Sequence, residues 1–367
     1  MPIIHAVASQ TKTEDAPRLR PTMTDIAKLA GVSQSTVSLV LNQMTGAKVA
    51  AATRKRVFEL AGDLGYRLPR RKTTTPAAPP AVGGARRNLI VYIADEVATS
   101  PHPAITIDGA RAAAWEHNCL LSVHVTGGDR ELEEATLDAA LNNPAVLGVI
   151  YASIFTREVT LPKRLMNGKN TTCVLLNCTE KERRFSSVVP GEVGGGFAAT
   201  EHLIAQGHKR IGFINGEPWM DAARDRLKGY RQALATADLP FDAHLVRDGD
   251  WMSGTGFTQA LSLLKLKRPP TAIFCANDLM ALGALEAAKQ LGRSVPGQLS
   301  ILGYDDQEIA RHAHPPLSTV LLPNFAMGQW AVERLIEEAV AGKAHSTRQM
   351  KMDCPLVPRE SATRRNS

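Results

Sequence analysis

The sequence lacks the features of an exported, membrane-spanning or disulfide-stapled protein. It contains no run of about 18 uninterrupted apolar residues, which a membrane-spanning helix would need, and residues 1–20 hold no continuous apolar segment of the signal-peptide kind. Its five cysteines form no Cys-x-x-Cys pair, so we expect reduced and mostly buried thiols in a cytoplasmic protein without membrane contact. These cysteines are Cys119, Cys173, Cys178, Cys275 and Cys354.

Motifs of catalysis and of cofactor binding are equally scarce. No Ser/His/Asp or Cys/His grouping stands out, and Gly194-Gly195-Gly196 lacks the G-x-G-x-x-G frame of a nucleotide site, so helix entry is its expected role. His312 and His314 lie beside two prolines, where exposed histidines are more common than metal ligands. We therefore expect no enzyme, no metal and no cofactor.

The excess of positive over negative charge is confined to the first quarter of the chain. Residues 1–87 contain 14 Lys and Arg against 5 Asp and Glu, a net charge of +9, whereas the whole chain of 367 residues carries +7. The remaining 280 residues therefore carry −2. A cationic head on a nearly neutral body indicates that the head alone meets a polyanion.

Three apolar stripes with helical spacing follow one another between residues 22 and 66. They are Ile26-Leu29-Ala30, Val37-Val40-Leu41 and Val57-Leu60-Ala61-Leu64. The first two are separated by Gly31-Val32-Ser33, where glycine tolerates positive φ and serine can cap a helix. This pattern predicts a helix-turn-helix whose small core is closed by a third helix.

The polar face of these helices suits DNA. Gln34, Ser35, Ser38 and Asn42 are short polar side chains that can approach base edges and phosphates, as a helix in a major groove requires. Thr53, Arg54, Lys55 and Arg56 open the third helix with hydroxyl and cationic groups that suit the DNA backbone. The alternative is a small helical bundle with a solvated polar face.

The rest of the chain alternates short apolar runs with helical stretches such as Leu279–Leu291. The runs are Leu89–Ile93, Val146–Ile150, Cys173–Leu176, Ile211–Ile214, Ala272–Cys275 and Ser300–Gly303. Runs bounded by turn residues are typical of buried parallel strands. The alternation predicts α/β layers that present ligands at the carboxyl ends of the strands.

The run TDIAKLAGVS from Thr24 to Ser33, followed by Thr36-Val37-Ser38 and Val40-Leu41-Asn42, resembles the DNA-binding headpiece of the lactose-repressor/galactose-repressor (LacI/GalR) family. The family's two-lobed, periplasmic-binding-protein-like core is matched by four later segments. They are HLIAQGHKRIGFING at 202–216, RDRLKGYRQAL at 224–234, TAIFCANDLMALGAL at 271–285 and LSILGYDD at 299–306. The likeness is strong from about 190 to 320 and thin from 67 to 188.

The resemblance implies an α/β protein with an all-α head. We expect a tail at 1–21, a helix-turn-helix headpiece at 22–66, a basic proline-rich linker at 67–87, a core at 88–360 and a tail at 361–367. The core would comprise lobe 1 (about 88–176 plus 324–341) and lobe 2 (about 177–320 plus 351–360). The expected DNA-binding residues are Thr22, Thr24, Ser33, Gln34, Ser35, Thr36, Ser38, Leu39, Asn42, Thr53, Arg54, Arg67, Arg70 and Arg71.

A ligand site is expected between the two lobes. Arg226 aligns with the family arginine that grips the effector, and Trp251 falls where the lactose repressor has a tryptophan lining its sugar pocket. Asn277, Asp278 and Asp305 follow predicted strands, where they could bind vicinal hydroxyls. A buried Arg226–Asp305 pair could instead be purely structural, and Trp251 could serve lobe packing.

Two departures from the family concern DNA reading. Most members carry a hinge helix after the headpiece whose leucine enters the minor groove, whereas this chain has Pro76, Pro79 and Pro80 there, which disfavour a helix. We expect the linker to track phosphates through Arg67, Arg70, Arg71 and Lys72. Leu39 stands where the lactose repressor has a guanine-reading arginine, so the operator should differ at the matching base pair.

These observations predict an effector-controlled transcription factor that binds double-stranded operator DNA as a homodimer and represses. A sugar is the expected effector, with a purine or an organic acid as alternatives. A periplasmic-type solute-binding protein would share the core, but the head and the absence of a signal peptide disfavour it. A sugar-processing enzyme fused to a DNA-binding head would require turnover.

Overall fold

A computed structural model gives the structure of two compact units, Met1–Pro76 and Ala77–Ser367. It describes residues 23–32, 36–37, 40, 51–63, 89–167, 172–342 and 346–364. The boundary between the two units in the sequence falls within the predicted linker.

The first unit contains helices α1 (Met23–Ala30) and α2 (Ala51–Asp63). Its apolar core is formed by Ile26, Ala27, Ala30, Val37, Val40, Val57 and Ala61. Gly31 ends α1 with a φ of 65°, which lets the Val32 amide donate to the Ala27 carbonyl at 3.1 Å.

One member of the predicted stripes is misplaced, because Leu29 is 60% exposed whereas Ala27 is buried. At about 100° per residue, Ala27 and Ala30 fall on one side of Ile26 around the helix and Leu29 falls on the other. The short helix buries only the former side.

Lobe 1 of the second unit is built on a sheet whose six described strands are all parallel. They are β1 (Leu89–Ala94), β2 (Leu120–Val125), β3 (Val146–Glu158), β4 (Cys173–Thr179), β5 (Ser186–Pro190) and β11 (Gln349–Met352). Their order across the sheet is β11-β5-β4-β3-β1-β2. The helices of lobe 1 are α3 (His102–Glu116), α4 (Arg130–Asn142), α5 (Lys163–Asn167) and α11 (Asn324–Ala341).

Lobe 2 is built on a parallel sheet with the order β7-β6-β8-β9. These strands are β6 (Ile211–Asn215), β7 (Val246–Asp248), β8 (Ala272–Cys275) and β9 (Ser300–Leu302). A small antiparallel pair, β10 (Thr319–Val320) and β12 (Leu356–Val357), accompanies it. The helices are α6 (Glu192–Ala205), α7 (Asp221–Thr236), α8 (Ser253–Leu264), α9 (Asp278–Gln290) and α10 (Glu308–His312), with a 3-10 turn at Ala243–Leu245.

The six predicted strands are all present, as β1, β3, β4, β6, β8 and β9. The predicted end of lobe 1 at residue 176 is too early, because β4 runs to Thr179 and β5 lies beside it in the same sheet. Residues 351–352 belong to β11 and therefore to lobe 1, not to lobe 2 as predicted. The strand β5, with the sequence Ser-Ser-Val-Val-Pro, lacks the continuous apolar run on which the prediction depended.

Helices α6 and α7 pack closely against each other. A Cβ atom at Gly196 of α6 would lie 2.5 Å from the carbonyl oxygen of Arg226 on α7, and Gly229 of α7 meets the backbone of α6 at Val193 in the same way. The predicted helix-entry glycines therefore permit two helices to approach, which brings the start of α6 next to Arg226.

Within the part of the chain that the structure describes, no helix combines the length and the apolar character needed to span a membrane.

Candidate functional site

A cavity of about 250 Å³ lies between the two lobes. Lobe 1 contributes the polar and aromatic side chains of Thr99, Ser100, His102, Phe155, Thr156 and Asn177. Lobe 2 contributes Glu192, Met220, Arg226, Trp251, Met252, Asn277, Asp305 and Gln307, and Asn324 lies at the start of α11. The cavity is therefore at the carboxyl ends of both sheets, where an open α/β fold presents its ligands.

Arg226 is at the centre of the lobe 2 wall and is only 4% exposed. Its Nε and Nη2 atoms donate to the two carboxylate oxygens of Glu192, at 2.8 and 2.9 Å. Its Nη1 atom donates to the carbonyl oxygen of Ala276 and lies 3.6 Å from Oδ1 of Asp305. The predicted Arg226–Asp305 pair exists, but Glu192 is the nearer partner.

The guanidinium of Arg226 also lies between two aromatic rings. Its central carbon is 3.7 Å from the ring centre of Tyr304 and 5.6 Å from that of Trp251. Burial works against the charged form, but the charge and the hydrogen bonds of Glu192 outweigh it and raise the pKa of Arg226. Arg226 is therefore a fixed cation whose charge is largely neutralised by the protein.

Asp305 connects the two lobes. Its Oδ2 atom lies 3.4 Å from Nε2 of His102 in lobe 1 and accepts a hydrogen bond from Gln307 Nε2 at 3.2 Å. The amide of Asn324 donates to Nδ1 of His102 at 2.9 Å, so a neutral imidazole carries its proton on Nε2, facing Asp305.

Two residues of the lobe 2 wall hold unfavourable backbone conformations. Asp305 has a φ of 109° and Trp251 a φ of 69°, where L residues other than glycine are uncommon. Strain of this kind persists where the surroundings enforce it, and it concentrates at binding sites. Asn277 enforces it at Trp251, because its amide donates to the Trp251 carbonyl at 2.9 Å.

The structure changes the roles expected for Asn277 and Asp278. The Oδ1 atom of Asn277 caps α9 by accepting from the Met280 amide at 2.9 Å, so this side chain lines the cavity while both of its ends bind protein. Asp278 does not line the cavity and is fully buried. Its carboxylate accepts hydrogen bonds from Thr319 Oγ1 at 2.6 Å and from the backbone N–H of Gln307 at 2.8 Å. These contacts arise because Asp278, as the first residue of α9, points toward the chain that follows β9.

Burial, followed by the negative charge of Asp305, raises the pKa of Asp278 well above the usual carboxyl value. Asp278 therefore stabilises the loop that carries Asp305 and does not contact a ligand in the cavity. The expectation that it binds the effector is wrong for this structure.

The lobe 1 wall is more open. Thr156 Oγ1 donates to the Asn177 side chain at 2.7 Å, and Asn177 Nδ2 donates to the Ser153 carbonyl at 3.1 Å. Phe155 carries the guanidinium of Arg157 over its ring at 5.1 Å. Its edge meets Trp219 of lobe 2 with a ring separation of 5.5 Å and an interplanar angle of 77°, so an aromatic contact crosses the mouth of the cleft.

Sequence reasoning missed Glu192, His102, Phe155 and Asn177. The signal that selected Asp305, a polar residue at the carboxyl end of a strand, also marks Asn177 within β4 and Glu192 two residues after β5. Glu192 escaped notice because β5 itself was not predicted.

Most of the expected DNA-binding residues lie outside the described residues. These are Thr22, Ser33, Gln34, Ser35, Ser38, Leu39, Asn42, Arg67, Arg70 and Arg71. Thr24 and Arg54 fall within α1 and α2, but their side chains are not described, whereas Thr36 and Thr53 are half-buried. Lys55 and Arg56 of α2 are exposed. The DNA contacts thus stay predictions.

Comparison with known proteins covers both units. Residues 22–68 match the family of bacterial regulatory proteins called the lacI family, and residues 200–362 match the periplasmic binding protein-like domain. The ribose operon repressor of Haemophilus influenzae is 31% identical over 343 residues, which covers 93% of this chain and 98% of that protein. The transcriptional repressor PurR of Actinobacillus pleuropneumoniae is 32% identical over 319 residues, covering 86% of this chain and 90% of the relative.

Solved structures of similar fold include a complex of the transcriptional regulator CelR with cellobiose, at 29% identity and a TM-score of 0.63, covering 93% of this chain and 100% of that one. The lac repressor dimer bound to operator and an anti-inducer is similar at 26% identity and a TM-score of 0.63, covering 94% and 100% of the two chains.

Proposed function

The chain belongs to the LacI family of bacterial transcriptional regulators, and from that premise we propose that it is an operator-binding repressor controlled by a sugar bound between its core lobes. The curated relatives that it matches over most of their length are repressors, and the family consists of non-enzymatic regulators. The proposed repressor acts in the cytoplasm, where operator DNA lies.

The observation that carries the ligand class is the pairing of an indole with hydrogen-bonding groups across one cavity. Trp251 offers a face on which the C–H side of a sugar ring can pack. Asp305, Gln307 and Asn177 surround it with acceptors and donors for hydroxyl groups. The cavity of about 250 Å³ has room for a small polyhydroxylated ligand.

Similar proteins are consistent with a sugar. One relative is named a ribose operon repressor, and the CelR structure was solved with cellobiose. A purine is the second candidate, because the rings of Trp251 and Phe155, which both line the cavity, also suit a heteroaromatic ligand.

A homodimer would supply the second head that operator selectivity requires. Among the described residues β2 is an edge strand of the lobe 1 sheet, and it supports this assembly because it leaves Leu120, Val123 and Val125 exposed, with Leu132 of α4 also exposed. Apolar side chains concentrated on one element mark an association surface. The lac repressor structure of similar fold is a dimer on its operator.

A ligand screen on the full-length protein tests the proposal. We expect a monosaccharide to raise the melting temperature and, at saturation, to change the affinity for an operator obtained by binding-site selection, measured by fluorescence anisotropy. Coupling between the two sites requires both effects. A ligand that stabilises the protein but leaves operator affinity unchanged would refute effector control.

Matched tryptophan variants locate the site. Trp251→Ala should abolish the thermal shift, whereas Trp115→Ala, an exposed tryptophan of α3, should retain it. A shift that survives Trp251→Ala would argue against binding in the cleft.

A further inference from the structure

We propose that Glu192 is a specificity-determining residue of the cleft, which holds the Arg226 guanidinium and thereby excludes ligands that carry a carboxylate or a phosphate. This inference rests on the proposed ligand-binding function of the cleft. It concerns the charge of the effector, which the family resemblance leaves open.

The geometry of Arg226 is the first argument. A guanidinium with its five N–H groups recognises an anionic ligand by offering two parallel donors to it. In this structure one such donor pair, Nε and Nη2, is already bound to Glu192. Nη1 donates to the Ala276 carbonyl, and the next acceptor near it is the Asp305 carboxylate. A ligand carboxylate would have to displace Glu192.

The charge of the cavity is the second argument. Among the lining residues that the structure describes, Arg226 is the only Lys or Arg, and it faces the two carboxylates of Glu192 and Asp305. Apart from the imidazole of His102, the ionisable side chains of the lining carry a net charge of −1. An anion would therefore meet repulsion in a partly desolvated site, where charges act more strongly than in water.

Cations near the mouth of the cleft do not reverse this balance. Arg157 in lobe 1 is paired with Asp95 at 2.6 Å, and Arg224 in lobe 2 is paired with Asp221. Each is neutralised by a neighbour on its own lobe.

The fold also fixes Glu192 in place. It is the first residue of α6, where the helix dipole favours a carboxylate, and it is only 3% exposed. The close crossing of α6 and α7 at Gly196 and Gly229 keeps it beside Arg226. Replacing it with glutamine preserves the shape but removes one negative charge and frees one guanidinium donor.

The test compares neutral sugars with their anionic counterparts on the full-length protein. The probes are glucose with glucuronate, galactose with galacturonate, and ribose with ribose 5-phosphate, measured by isothermal titration calorimetry. For the pair whose neutral member binds, we expect the wild type to bind the anion at least about tenfold more weakly. In Glu192→Gln this ratio should fall toward one, through a gain in anion binding.

Glu201→Gln, the same substitution at an exposed position of the same helix, is the control and should keep the wild-type ratio. If Glu192→Gln does not fold, Glu192→Asp provides the second test. Its shorter side chain keeps the charge but cannot bridge both guanidinium nitrogens, so the ratio should fall partway. A wild-type ratio in a folded Glu192 variant would overturn the proposal.

The experiment distinguishes a wrong role for Glu192 from the absence of sugar binding in the cleft. If the wild type binds the anionic member of a pair as well as the neutral one, Glu192 is not a selector although the cleft still binds ligands. If no probe binds the wild type or the Glu192 variants, the proposed sugar-binding function itself fails.

Discussion

The two walls of the cleft differ in how firmly their side chains are held. On the lobe 2 wall, Glu192, Arg226 and Asp305 are all buried, and Arg226 pairs with both carboxylates. On the lobe 1 wall, Phe155 is half-buried and is supported by Arg157, whose side chain is 44% exposed. From this difference we expect lobe 2 to present a preformed surface to a ligand and lobe 1 to close over it.

Two contacts join the walls, one inside the cleft and one at its mouth. His102 meets Asp305 at 3.4 Å inside the cleft, and Phe155 meets Trp219 at its mouth. Both contacts form only when the lobes approach, so they favour the closed arrangement. A ligand that binds both walls would shift the protein toward closure by its differential affinity for the two states.

The largest expected effect is on the free energy of unfolding, when an arginine is removed from each wall in turn. Arg226→Ala should lower the free energy of unfolding by about 3–5 kcal/mol, because Glu192 is left buried and unpaired. Arg157→Ala should lower it by less than about 1 kcal/mol, because that pair is solvent-screened. Urea unfolding of the full-length variants measures both changes, and equal losses would contradict the difference between the walls.

A second prediction concerns Asp278, the buried carboxyl group that supports the loop of Asp305 on the lobe 2 wall. The raised pKa of Asp278 means that the folded protein holds this proton more tightly than the unfolded chain does. Its contribution to stability is therefore full at acidic pH and is lost as pH rises through the raised pKa, with a slope of at most about 1.4 kcal/mol per pH unit. Asp278→Asn should flatten this decline.

Melting temperatures measured between about pH 5 and pH 8 check the prediction. Asp238→Asn, at an exposed position of lobe 2, is the control and should keep the wild-type profile. A wild-type profile in Asp278→Asn would show that another group causes the decline.

Sequence reasoning succeeded better on the lobe 2 wall than on the lobe 1 wall. Arg226, Trp251, Asn277 and Asp305 were all expected in the cleft, and all four line it. They lie in the segment where the family resemblance is strong and where β6, β8 and β9, though not β7, are apolar runs. The lobe 1 strands β2 and β5 carry serines, a histidine or a proline, so their pattern predicted no strand, and Glu192 of the lobe 2 wall, which follows β5, was missed for the same reason.

The sequence did not indicate which residues the cleft side chains would pair with. Nothing in the spacing of Glu192 and Arg226, 34 residues apart, indicates a bidentate pair, because that pair depends on how closely α6 and α7 cross. In the same way, the adjacent Asn277 and Asp278 look alike as candidates. The helix that begins there turns one toward the cavity and the other toward β10, where it binds Thr319.

The smallest predicted effect concerns the aromatic contact at the mouth of the cleft. Each ring has one contact within its own lobe: Phe155 lies under the Arg157 guanidinium, and the indole Nε1 of Trp219 donates to Oε1 of Glu217 at 3.3 Å. Because Phe155 is only half-buried and Trp219 is 59% exposed, closure should gain no more than the stabilisation that an edge-to-face pair offers, about 0.5–1.5 kcal/mol.

A double-mutant cycle of Phe155→Ala and Trp219→Ala, read as ligand affinity, isolates this contact from the rest of the cleft. Each single variant should weaken binding by about two- to tenfold, and the double variant by little more than either one, since each removes the same pair. Phe155→Ala combined with Trp115→Ala, the exposed tryptophan remote from the cleft, should show no coupling. Strictly additive losses for Phe155 and Trp219 would mean that the two rings contact the ligand separately, and lobe 1 would then be a binding wall in its own right rather than the wall that closes.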